Sequence, residues 1–185
     1  MSVIRHIFYT AFSVVKYVVE AVELEDKGMC EHCGCRQMEP IAELMDEHFV
    51  LLDLAGSVRR ALAAGDRSRA VEVLESLSSR LTQHVRREER GVFAALREQG
   101  DFAYAVDELE NEHLTFDQRL AAIDPDDAGF AEHVAALLDE LKVHIDKENL
   151  GVFAVSVVTL GADGWETVSK AHAELPTFLS TPTPT

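Results

Sequence analysis

Four segments of this chain each place a histidine inside an otherwise apolar stripe of helical period, and few folds can accommodate that. The first stripe runs Ile41, Met45, His48, Leu52, Ala55 and Leu62. The second runs Leu74, Leu77, Leu81, His84, Glu88, Val92 and Ala95. The third runs Phe102, Val106, Leu109, His113, Phe116, Leu120 and Ile123. The fourth runs Phe130, Val134, Leu137, Leu141, His144, Glu148, Val152 and Val155. Steps of three and four residues put these side chains on one face of a helix. Between the segments stand Gly65-Asp66, Gly100-Asp101 and Asp124-Pro125-Asp126-Asp127, which read as stops, caps and a turn. Pro40 suits the first turn of the first helix. Four helices with short connections favour antiparallel neighbours, so the expected fold is all-α, an up-down-up-down four-helix bundle.

The remaining chain is arranged around that bundle, expected over residues 40–161. Residues 1–28 read as an N-terminal extension. Ile4 to Val22 is apolar but is interrupted by Arg5, His6, Lys16 and Glu20, so it is not expected to span a membrane. Met29, directly before the cysteines, is a second candidate start. Residues 29–39 form a Cys-rich segment, and residues 162–185 a short helix followed by a disordered tail. Asp163 and Glu166 offer a loose capping box for that helix. The chain has 33 acidic and 17 basic residues and a formal net charge of -16, which repels phosphate backbones and anionic lipid. Nucleic acid and membranes are therefore not expected partners.

Taking four imidazoles and two carboxylates into a bundle core without compensation would cost several kcal/mol per buried charge. A bound cation removes that cost. Glu88 follows His84 by four residues and Glu148 follows His144 by four, so each pair shares a helix face. The two pairs also belong to an internal repeat: His84 to Phe93 matches His144 to Phe153 at an offset of 60 residues. Each half opens with a Glu-His pair, Glu47-His48 and Glu112-His113. Two hairpins of one pattern, facing each other across a pseudo-two-fold axis, would deliver His, His and Glu apiece. That is a ligand set for two metals with two carboxylates available as bridges. Imidazole with carboxylate suits iron, manganese, copper or zinc. Structural zinc closes a site with four ligands, so iron leads and manganese follows. Asp117, four residues after His113, is expected near the centre as a further ligand or a partner to one. Gly91 and Gly151, seven residues after the histidines, read as leaving space beside the metals or allowing close helix contact. Arg87 and Lys147 read as pointing off the stripe.

This arrangement of His followed by His-x-x-x-Glu, stated twice from about Ile41 to Gly161, resembles the hemerythrin-like proteins, the HHE cation-binding family. The resemblance implies a non-haem di-iron centre with Glu88 and Glu148 as bridging carboxylates. It implies that His48 and His84 serve one iron and His113 and His144 the other. The chain departs from the oxygen-carrying members, which use His-x-x-x-His on the third helix and His-x-x-x-x-Asp on the fourth. Here the residue four after His113 is Asp117, and the fourth helix has Glu148 at the shorter spacing, so reversible oxygen carriage is not implied. Ferritin-like bundles differ too, with Glu-x-x-His pairs and plain glutamates.

Cys30, Cys33 and Cys35 cluster before the first helix. Three thiols with His32 could bind one tetrahedral metal, and Cys30 with Cys33 could cycle as a dithiol. A flexible thiol-bearing tail is an equal reading. An odd, clustered set is not a disulfide framework, which points to a reducing, cytoplasmic compartment. His6, His133 and His172 read as peripheral. Three functions stay open: a redox-active di-iron protein that meets oxygen, peroxide or nitric oxide; a non-enzymatic module that senses or buffers iron or oxygen; and a structural bundle with zinc or no metal.

Overall fold

The computed structural model describes residues 34–180, so Cys30, Cys33, His6, His32 and the expected N-terminal extension lie outside the described residues. Within them the chain is all-helical, and no described helix is long and apolar enough to cross a membrane. Helix α1 spans Glu39–Ala63, with Pro40 in its first turn. The chain turns through Gly65 at φ +72°, a left-handed conformation that favours glycine. Asp66 then caps α2 (Arg67–Glu88) by accepting the Arg69 backbone N–H at 3.0 Å. A π turn, Glu89–Phe93, joins α2 to α3 (Ala94–Gln99), and Gly100 at φ +89° ends that rod. Helix α4 spans Ala103–Ala121 and α5 spans Phe130–Lys147. A second π turn, Glu148–Val152, leads into α6 (Phe153–Thr159), and α7 covers Ala162–Glu174.

Three local expectations fail. Asp101 does not cap α4: Phe102 occupies that position without a side-chain cap. Asp163 lies inside the first turn of α7 rather than before it, and Gly161 precedes the helix without a side-chain cap. Of the tail expected to be disordered, Phe178–Ser180 form a 3-10 turn, and residues 181–185 lie outside the described residues. Phe178 is buried, with the Arg80 guanidinium 5.2 Å from its ring centre.

The apolar residues form two clusters. One gathers Leu51, Val58, Leu77, Phe116, Phe130, Leu138 and Ile145. The other gathers Ile41, Leu44, Phe93, Leu96, Val106, Phe153 and Val168. Helices α1 and α4 contribute to both clusters, and α2 and α5 contribute to the first while the π turns and helices that continue them contribute to the second. At the crossing level stand His48, His84, Glu88, His113, His144 and Glu148, all buried. The polar belt therefore lies between two blocks of apolar packing that hold the helices at fixed separation.

Candidate metal centre

The six buried side chains meet through like atoms. His84 Nε2 lies 2.8 Å from His48 Nε2, and His113 Nε2 lies 2.9 Å from His144 Nε2. Glu88 lies 3.0 Å from His84 Nε2, 3.6 Å from His48 Nε2 and 3.5 Å from His113 Nε2. Glu148 lies 3.0 Å from His144, 3.2 Å from His48 and 3.4 Å from His113. Each carboxylate thus reaches histidines of both halves. Among the described residues, two groups could hold a metal ion: His48, His84, Glu88 and Glu148, and His113, His144 and Glu148.

The repeat is used crosswise. His48 Nδ1 lies 3.0 Å from the Asn149 side-chain oxygen, and its ring stacks on Phe153 at 5.6 Å. His113 Nδ1 lies 3.1 Å from Glu89, and its ring stacks on Phe93 at 5.6 Å. Residues 89 and 93 of the first motif thus hold a histidine of the second half, and residues 149 and 153 hold one of the first. The π turns make this possible. An ordinary α-helix separates consecutive side chains by about 100°. An i to i+5 turn holds an extra residue, and both Glu88 and Glu89 address the centre, as do Glu148 and Asn149.

The other two histidines are held from within their own hairpins. His84 Nδ1 lies 2.7 Å from Glu47, and His144 Nδ1 lies 2.8 Å from Glu112. An ionised carboxylate only accepts, so Nδ1 carries a proton toward each of them, and a neutral imidazole held this way would offer its Nε2 lone pair to a metal. Behind each carboxylate stands a cation. Arg87 donates to Glu47 and Glu43, and Lys147 donates to Glu112. The earlier expectation that Arg87 and Lys147 point away is corrected. Arg87 is buried, and Lys147 lies in a cleft beside His144. The signal was present in the two Glu-His pairs and in the matched positions 87 and 147.

Burial alone would lower the His48 imidazole, but Glu148 and Glu88 override it and raise it to about 10. His113 is raised to about 10 by Glu148 and Glu89 against the same burial penalty. His144 reaches about 9 through Glu148 and Glu112, again against burial. Burial would raise Glu148, yet His144, His113 and His48 hold it well below the usual carboxylate range. The belt therefore keeps its carboxylates ionised and demands positive charge beside them.

The donor set fits a metal better than it fits protons. All four oxygens of Glu88 and Glu148 are buried without a hydrogen-bond partner. Two Nε2 atoms facing each other at 2.8 Å leave room for one proton between them. Two ligands at right angles, each about 2.1 Å from a metal, are themselves about 3 Å apart, which is the spacing observed.

Asp117 is not brought to the centre. It is exposed, because the buried face of α4 runs Leu109, His113, Phe116 and so continues at the third residue after His113, not the fourth. The glycines do not line the site either. A Cβ on Gly91 would meet Ala171 at 3.6 Å and His172 at 3.7 Å, so Gly91 admits α7. Gly151 faces open space. His172 is not a surface residue: Arg87 donates to its Nδ1 at 2.9 Å, and its Nε2 is buried. His133 is exposed, as expected.

The family model for the hemerythrin HHE cation binding domain matches residues 39–155. No match was found among curated proteins or among solved structures.

Proposed function

The chain belongs to the hemerythrin HHE cation-binding domain family, and we propose on that footing that it holds two iron ions and reacts with or binds oxygen, peroxide or nitric oxide. His48 and His84 hold one ion and His113 and His144 the other, with Glu88 and Glu148 bridging. The helices run up-down-up-down, which is the reading of the two apolar clusters taken in opposite senses. The observation that carries the proposal is the set of four buried carboxylate oxygens without hydrogen-bond partners, ringed by four Nε2 atoms.

A bound iron pair supplies one-electron redox chemistry and open positions for a small ligand. The chain's own residues set the conditions for it. Glu47, Glu89, Glu112 and Asn149 each hold one Nδ1, which fixes the ring orientation and aims Nε2 inward. Phe93 and Phe153 cover the two crosswise rings and exclude water. Six protein ligands shared by two ions saturate at two, so bulk iron storage is not the function proposed.

The test is metal analysis of the natively purified chain with an absorption spectrum before and after oxygen, and after peroxide on the oxidised form. Two irons per chain and a spectral change are expected, and Glu88→Ala or Glu148→Ala should remove most of the metal. Variants that keep both irons would overturn the ligand set. A full iron content with an inert spectrum would favour a sensing or buffering module.

A further inference from the structure

The two halves of the belt share a pattern but not an environment. In the first, Glu47 has no exposed surface and its partner Arg87 is 1% exposed. Thr177 donates to the same Glu47 at 2.6 Å, and Arg87 also reaches His172 on α7. The C-terminal helix and the segment after it therefore cap this half. In the second, Glu112 is 27% exposed and Lys147 is 40% exposed. They border a cleft of about 340 Å³ whose lining includes Thr115, Phe116, Val143 and His144. His144 is thus the one histidine of the belt that lines this cleft.

We propose that the His113–His144 half is the port of the centre: its metal ion and small ligands enter and leave through this cleft, past the Lys147–Glu112 ion pair, while the Arg87–Glu47–Thr177 clamp retains the ion of the His48–His84 half. The proposal rests on the two-metal reading above. The physical ground is the cost of opening each side. Parting Lys147 from Glu112 exposes two groups that already touch water, and such pairs are worth little. Parting Arg87 from Glu47 leaves two buried charges uncompensated, which is far more costly.

The full chain is loaded with cobalt(II), its cobalt content is measured, and release into excess EDTA is followed by the cobalt absorption. Two cobalt ions per chain should leave in two phases of equal amplitude, at rates at least tenfold apart. Lys147→Ala should speed the fast phase threefold or more and leave the slow one. Val143→Trp, which narrows the cleft without replacing a proposed ligand, should slow the fast phase. Thr177→Val should speed only the slow phase. A chain that takes up fewer than two cobalt ions overturns the two-metal reading and this inference with it. Two ions released in a single phase, or a fast phase indifferent to both Lys147→Ala and Val143→Trp, would overturn the port and leave the two-metal reading standing.

Discussion

Asn149 holds His48 from the far side of the chain, its side-chain oxygen 3.0 Å from the imidazole Nδ1 across 101 residues of sequence. Its counterpart in the repeat, Glu89, holds His113 in the same way. An outer partner of this kind fixes the tautomer and typically changes metal affinity by 10–100-fold. Asn149→Ala should weaken metal binding by about that factor, with the helical content unchanged. Asn149→Glu, which copies the other half, should restore most of it. Titration of the metal-free chain with iron(II) or cobalt(II) reads the difference, and equal affinities for all three chains would contradict the role.

Without metal, the belt depends on protons. The imidazoles of His48 and His113 are raised from 6.5 to about 10. The folded chain then binds those protons more tightly than the unfolded one, so their contribution is full below about pH 6.5. It declines from there and is gone above about pH 10. Glu88 and Glu148 are lowered, so their contribution is present above about pH 4.5 and is lost as pH falls. The melting temperature of the metal-free chain should therefore be highest near pH 4.5–6.5 and fall steadily toward pH 10. The metal-loaded chain should lose much less over the alkaline range. Parallel melting curves that rise with pH above 7 in the metal-free chain would contradict this.

Phe93 has no exposed surface and stacks on His113 with the planes 5° apart. Phe93→Ala should cost about 3–5 kcal/mol of stability and also weaken metal binding. Phe93→Leu should recover most of the stability while leaving the ring uncovered. Chemical denaturation of the two variants, with metal affinity measured beside it, separates packing from orientation.

The glycines allow a sharper contrast. Gly151→Ala meets no atom within 4 Å and should be neutral or stabilising by up to about 1 kcal/mol, with metal content unchanged. Gly91→Leu should push α7 from its seat and destabilise the chain, since Ala171 and His172 already stand at contact distance from a Cβ there. Thermal melts of both variants decide this.

The six inward residues were legible because stripe period and His-x-x-x-Glu spacing both act within one helix. What escaped had two causes. The π turns leave little mark in local propensity, although paired polar residues at 88–89 and 148–149 just before a glycine were a visible trace. The outer partners Glu47, Glu112, Arg87 and Lys147 are long-range pairings that no helical period reports. Asp117 misled through an i+4 step on a helix whose buried face takes i+3. Thr177 and Phe178 precede a Thr-Pro run whose composition reads as disordered, yet one buried aromatic and one hydroxyl place these two residues against the bundle.

The crosswise anchoring has a consequence for synthesis on the ribosome. The first hairpin emerges carrying His48, His84 and Glu88, but the side chains that orient and cover His48, Asn149 and Phe153, lie near the end of the second. Glu89 and Phe93, made first, in turn stand without the ring they hold until His113 follows in the second hairpin. Neither half is a finished site while the other is missing. On the two-metal proposal, a nascent chain shorter than Phe153 lacks the side chains that orient and cover His48, so capture of the ions would be a late event of folding rather than its seed.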